Sequence, residues 1–180
     1  MVEKVCIKDI IKAGREQKLL NAVDKFSCQD EEVEKFLKQK ALDFDRRNKS
    51  RTYLLIDSEA EDEIVIFGYY TLTMKSLPFE FGISKSTIKK IDGFRSDVNS
   101  TEAILIGQLG KDYKHNKING KTILDYILDD VYKAQTIIGG RIVFLECLNI
   151  EKIVDFYKQN GFVILQNSSD GNYLQMIRFL

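Results

Sequence analysis

The chain has 180 residues, 44% hydrophobic and 30% charged, which suits one domain with its own core and argues against disorder. Lysine plus arginine equal aspartate plus glutamate at 27 each, so net charge argues for no nucleic-acid or membrane partner and leaves only local basic patches open. Three scattered cysteines (Cys6, Cys28 and Cys147) and a single histidine exclude a disulfide framework and a zinc knuckle, and no carboxylate spacing suggests a metal.

No apolar run approaches the roughly 20 residues of a membrane span, and the first residues lack the apolar core of a signal peptide. A soluble, cytoplasmic protein is the expectation. In residues 1–24, Val5, Ile7, Ile10 and Ile11 fit either a short strand or an irregular helix broken by Gly14, and Leu19-Leu20 fits the start of another element. Residues 29–47 predict one helix, with Val33, Phe36, Leu37, Ala41 and Phe44 on a single face. Ser27 with Asp30 resembles a capping box; Asp30, Glu31 and Glu32 fill the first turn, and Arg46 and Arg47 the last. Arg46, Arg47, Lys49 and Arg51 form a basic cluster at the exit, which reads either as a solvated helix end or as a contact for an anionic substrate.

Two strands follow at 52–57 and 63–72, joined by an acidic hairpin link at 58–62. Residues 74–101 hold Pro78 and the basic residues Lys85, Lys89, Lys90 and Arg95, and read as a long loop or substrate-side lid, with a short helix at 84–91 capped by Ser84 or Ser86. The organising stretch is 103–136. A buried strand through Ile104, Leu105, Ile106 and Leu109 ends at Gly110, a lysine-rich loop follows, and Ile123, Leu124, Ile127, Leu128 and Val131 then recur at helical spacing. Gly139-Gly140 stops that helix. Ile142 to Cys147 is a short apolar strand, so strand, helix and strand make one βαβ crossover. Asn149 is placed to cap a helix bearing Ile153, Val154 and Tyr157, terminated at Asn160-Gly161; strands at 162–165 and 173–179 form a closing hairpin. The sum is an α+β single domain: antiparallel strands first, one βαβ unit, then a hairpin.

The loop before the central helix delivers backbone N–H groups and lysines to a helix N-terminus, a natural phosphate seat. Gly120-Lys121-Thr122 is the tail of a P-loop, G-x-x-x-x-G-K-[ST], but His115 occupies the position of its first glycine. The other reading uses the whole C-terminal half. Phe156-Tyr157-Lys158-Gln159-Asn160-Gly161-Phe162 matches a Phe-Tyr-x-x-x-Gly-Phe run, and it follows the strand–loop–helix at the expected distance. On these two motifs, over about residues 52–179, the chain resembles the GNAT acyl-CoA N-acyltransferases. The loop departs from that family's Gln/Arg-x-x-Gly-x-Gly/Ala: His115 stands at the Gln/Arg, Ile118 at the first glycine, and only Gly120 is kept. Asn116 and Asn119 are the residues there most tolerant of the left-handed region. Ile150 occupies the place of the asparagine often found before the tyrosine, with Asn149 one earlier.

The resemblance implies a GNAT-like mixed sheet with splayed central strands and flanking helices, binding acetyl-CoA without a metal. It implies that Leu109, Gly110 and Lys111 meet the pantetheine arm. Lys117, Ile118, Asn119, Gly120, Lys121 and Thr122, with Lys111 and Lys114 adding charge, would meet the phosphates, and Phe156 would complete the coenzyme site. Tyr157 would protonate the leaving thiolate. Glu146, at a strand end, is the candidate base, and Cys147 reads as a small buried hydrophobe. The acceptor implied is a primary amine, small or macromolecular. Phe26-Ser27-Cys28-Gln29-Asp30, Ser50-Arg51-Thr52-Tyr53 and Gly68-Tyr69-Tyr70-Thr71-Leu72 further resemble the toxin-type acetyltransferases, which implies aminoacyl-tRNA as a second candidate acceptor, an antitoxin partner and a possible homodimer, with no membrane. A fold that has kept coenzyme or partner binding without turnover is the remaining alternative.

Overall fold

The computed structural model describes residues 1–60 and 63–180. In chain order the elements are β1 (Val2–Cys6), α1 (Ile7–Lys12), α2 (Glu16–Lys25), α3 (Glu31–Gln39), α4 (Ala41–Arg46), β2 (Arg51–Asp57), β3 (Ile66–Pro78), α5 (Lys85–Asp92), β4 (Ser100–Lys111), α6 (Gly120–Ile138), β5 (Ile142–Cys147), α7 (Glu151–Gln159), β6 (Val163–Asn167) and β7 (Leu174–Phe179). The strands form a mixed seven-stranded sheet in the order β1-β2-β3-β4-β5-β7-β6. This is the expected α+β class. The hairpin link expected at 58–62 falls partly on residues 61–62, outside the described residues.

The chain divides into two compact units, residues 1–73 with 107–129, and residues 74–106 with 130–180. In the first, β1 and β2 pair antiparallel from Val2↔Asp57 to Cys6↔Tyr53, and β2 pairs antiparallel with β3 with a register shift at Leu55/Ile56. Ile7, Ile10, Leu19, Phe26, Leu37, Leu54, Ile56 and Tyr69 form its core, each large side chain contributing roughly 1.5–3 kcal/mol by leaving water. The ambiguous N-terminus resolves as a strand and two helices, with Gly14 at φ +71° between the helices.

The single helix expected over 29–47 is two, α3 and α4, broken at Lys40 (φ −122°, ψ −32°). Residues eight apart on one straight helix stand about 12 Å apart along the axis. The rings of Phe36 and Phe44 meet edge-to-face at 5.4 Å instead, which the break permits. The cap is also different from expectation: Asp30 itself accepts the N–H groups of Glu32 (2.9 Å) and Val33 (3.2 Å), and Ser27 is used elsewhere.

In the second unit β4 pairs parallel with β5 (Ile104↔Val143, Leu105↔Phe144, Ile106↔Leu145), and β7 pairs antiparallel with both β5 and β6. Leu77, Ile91, Ala103, Leu105, Ile142, Phe144 and Ile177 make its core. The stretch expected as a long loop over 74–101 holds more regular structure than that, since β3 runs to Pro78 and β4 begins at Ser100. The helix α5 is the short one expected at 84–91, with Ser84 capping through the Thr87 N–H at 3.1 Å. β-Branched and apolar residues at Thr73 and Leu77 sustain the strand further than the alternation suggests. The cap of α7 is Ile150, with no side-chain bond, so Asn149 does not play the part its position suggests. Among the described residues no helix is long and apolar enough to cross a membrane, and no cluster of metal-ligating side chains occurs.

Candidate active site

The loop between β4 and α6 is organised by a residue that sequence reasoning passed over. Asp112 is 1% exposed. Its carboxylate accepts the backbone N–H groups of Lys114 (2.7 Å) and Ser27 (3.1 Å) and faces Nδ1 of His115 at 3.1 Å. Its own N–H donates to the Phe67 carbonyl, and the Tyr113 N–H donates to the Ser27 carbonyl. Ser27 is tied in turn to α3, because its Oγ (2.9 Å) and the Cys28 N–H (3.0 Å) both donate to Glu34. Lys38, the Cys28 N–H and the Ser27 hydroxyl together hold the Glu34 carboxyl down at about 2. The available signal was that Asp112 is the only acid in the basic stretch 111–121.

His115 lies against Phe67, ring centroids 5.5 Å apart, and so belongs to this knot. Ile118 is buried; a Cβ placed on Gly68 would stand 3.2 Å from its Cδ1, so its side chain packs inward on β3. Among the described residues Asn48 is the only non-glycine with positive φ. The left-handed conformations expected at Asn116 and Asn119 are therefore not used. A loop without glycine reaches the helix because the Asp112 bonds and the Ile118 anchor fix its path in ordinary backbone conformations.

At the start of α6, Asn119 accepts the N–H (2.9 Å) and hydroxyl (3.1 Å) of Thr122 through Oδ1. Gly120 and Lys121 keep N–H groups with no intrahelical acceptor, next to the positive end of a 19-residue helix. The lysines are less free than the sequence suggests. Lys111 Nζ donates to the Asp112 carbonyl, Lys114 Nζ to the Lys25 carbonyl, and Lys121 pairs with Asp125. Lys117 is exposed. Leu109 and Gly110 lie at the end of β4; a Cβ on Gly110 would stand 2.6 Å from Tyr69 Cε1 and 2.9 Å from Val33 Cγ1, so this glycine serves close packing.

In the second unit the Phe-Tyr-x-x-x-Gly-Phe run is one structural device. Gly161 takes φ +82° after α7, its N–H donates to the Lys158 carbonyl (3.0 Å), and the Phe162 N–H reaches back to the Tyr157 carbonyl (3.1 Å). This pair of bonds is a Schellman cap, whose left-handed position favours glycine. It folds the Phe162 ring onto Tyr157 at 5.7 Å, and Phe156 packs on the same ring at 5.1 Å. Burial pushes the Tyr157 phenol well above its ordinary range, with the Cys147 thiol nearby adding to the effect. Glu146 is exposed at the end of β5 and accepts from Gln175 Nε2 at 2.8 Å. Cys147 is buried with Sγ 3.7 Å from Met176 Sδ, in keeping with a packing role.

Strand, lysine-rich loop, helix, parallel strand and tyrosine-bearing helix in this order give the fold of the GNAT acyltransferases. Solved structures similar to it include those of the toxin AtaT and of KacT. A tyrosine-to-phenylalanine mutant of the toxin AtaT is 26% identical, with a TM-score of 0.67 over 87% of this chain and 82% of that one. AtaT complexed with acetyl-methionyl-tRNAfMet is 24% identical, with a TM-score of 0.71 over 97% and 94%. A tyrosine-to-phenylalanine mutant of KacT is 24% identical, with a TM-score of 0.72 over 97% and 93%. No family model and no curated protein matches the sequence.

Proposed function

We propose that this protein transfers the acetyl group of acetyl-CoA to the α-amine of an aminoacyl-tRNA. The sequence leads first to an unspecified primary amine. The likeness to AtaT, solved with acetyl-methionyl-tRNAfMet and, with its partner, bound to AcCoA, favours the narrower, second candidate acceptor. The same likeness, which includes AtaT bound to the C-terminus of the antitoxin AtaR, supports an antitoxin partner.

In this reading the coenzyme pyrophosphate lies on the N–H groups at the start of α6, with the exposed Lys117 adding charge. Ile118 contributes backbone alone, since its side chain is committed to packing. Leu109, Gly110 and Lys111 offer the strand end for the pantetheine arm. The amine attacks the acyl carbon; a C–N bond forms, the C–S bond breaks, and the thiolate takes the Tyr157 proton. The amine's proton leaves through water or Glu146. The observation that carries the proposal is the Tyr157 phenol: clamped by Phe156 and Phe162, raised by burial, and so protonated at neutral pH. The test is calorimetric titration with acetyl-CoA, followed by acetyl transfer to charged tRNA. Micromolar binding with transfer to the aminoacyl group is expected. Binding without transfer to any aminoacyl-tRNA would leave a coenzyme-binding fold without this chemistry.

A further inference from the structure

The sequence offers two basic clusters, and the structure treats them differently. At 46–51 every cation is engaged within its own unit: Arg46 pairs with Glu16 (2.6 Å), Arg47 with Asp43 (2.7 Å) and Arg51 with Asp45 (3.1 Å), and Lys49 lies over the Phe44 ring. That cluster is spent on structure. The cluster at the C-terminal end of α5 is not. Lys89 and Arg95 there are exposed, as is Lys85 at the other end of the helix, and among the described residues none of the three has an ion pair.

The same end gathers further groups. Gly93 ends α5 in the left-handed region (φ +95°), and a Cβ there would stand 3.1 Å from the Arg141 side chain, so Arg141 lies flat against the turn. Arg141 donates to the Lys90 carbonyl, and Lys90 Nζ sits 4.5 Å over the Phe179 ring. Lys90, Gln135, Gly140, Arg141, Phe179 and Leu180 line a cavity of about 310 Å³. Asp92 accepts the N–H groups of Arg95 (2.8 Å) and Phe94 (3.1 Å), which fixes the turn and holds its carboxyl below the ordinary range. That turn leaves the Phe94 ring 89% exposed.

A large aromatic held open to water beside Lys89 and Arg95 has no use in this unit's own packing. Its chemistry matches single-stranded RNA, in which each phosphate takes a cation and every base has a face that stacks on an aromatic ring. We propose that the α5 corner docks the RNA acceptor, with Lys89 and Arg95 on its phosphates and Phe94 stacked on an unpaired base. The inference rests on the aminoacyl-tRNA reading above and adds the surface that serves it.

The test is fluorescence anisotropy of a labelled RNA minihelix with a single-stranded 3′ end, titrated with the full chain at several salt concentrations. Lys89→Glu with Arg95→Glu should weaken binding at least about tenfold and flatten the salt dependence, by roughly 0.7–0.9 in slope for each phosphate no longer neutralised. Phe94→Ala should weaken binding on the order of tenfold and leave the slope unchanged. Both variants should bind acetyl-CoA and unfold as the parent does, which separates this surface from the coenzyme seat and from misfolding. If both variants hold the minihelix with parental affinity and slope, the surface is wrong and the functional reading stands; a protein partner for the patch would give that same result. If the parent chain binds no RNA, the inference and the aminoacyl-tRNA reading fall together.

Discussion

The Ser27 backbone N–H donates to the buried carboxylate of Asp112 at 3.1 Å, across 85 residues of sequence. This one bond ties the turn before α3 to the loop between β4 and α6, and Glu34 holds the same turn from its other side. A buried carboxylate with this many donors is worth more than any single bond in it, because removing it strands every donor at once. Asp112→Ala should therefore destabilise the protein by about 3 kcal/mol or more, read by denaturant unfolding, and weaken acetyl-CoA binding. Asp112→Asn keeps one acceptor oxygen and should cost less on both scales. Equal effects of the two substitutions would mean that volume matters there and the hydrogen bonds do not.

Glu34 gives the knot a pH signature. Its folded value, about 2, lies below its ordinary 4.5, so its contribution is fully present above that ordinary value and is lost as pH falls toward the folded one. Denaturant unfolding at neutral pH and at about pH 3 should show a loss that Glu34→Gln reduces, since the amide no longer titrates.

Tyr157 makes a kinetic prediction. Tyr157→Phe should lower kcat by about 10²–10⁴ with little change in acetyl-CoA affinity, because the ring packing with Phe156 and Phe162 survives and only the proton donor is removed. Burial raises this phenol above its ordinary 10. Its deprotonation should therefore produce no alkaline fall in kcat below about pH 10. A fall centred near pH 9 that disappears in the Phe variant would place the tyrosine in a different electrostatic setting.

Gly110→Ala tests close packing at the end of β4. The new Cβ would meet the Tyr69 ring at 2.6 Å and Val33 at 2.9 Å, and Tyr69 is pinned because its hydroxyl donates to the Val33 carbonyl. A loss of about 1–3 kcal/mol is expected by chemical or thermal unfolding.

The Asn119 cap should behave locally. Asn119→Ala removes the acceptor for Thr122 and should cost about 1 kcal/mol. Asn119→Asp restores the cap yet adds negative charge at the phosphate seat, so it should keep stability while weakening acetyl-CoA binding in calorimetry.

Much of the fold was legible because its signals are short-range. Alternation and helical spacing located β2, β4, β5 and α6, and glycines at 93, 139 and 161 close helices where the chain must turn left-handed. The Phe-Tyr-x-x-x-Gly-Phe run was visible as a motif, and its geometry explains it, since cap and ring clamp depend on the same few residues. Boundaries set by packing were not legible. The helix over 29–47 breaks at Lys40 to bring Phe36 onto Phe44, and the stretch after 73 continues as strand because its core partners lie far away in sequence.

By itself, the sequence determined where backbone hydrogen bonds close locally: which segments are helix or strand, where glycine ends them, and that a tyrosine-bearing helix follows the helix of the βαβ unit. Only the tertiary structure decided which charges are available. Lys114, Lys121 and the arginines at 46, 47 and 51 look alike in sequence to Lys89 and Arg95, yet the former are held by partners and, among the described residues, the latter have no ion pair. Periodicity records a residue's face within one element; the partner that neutralises its charge is chosen by folding, from any distance along the chain.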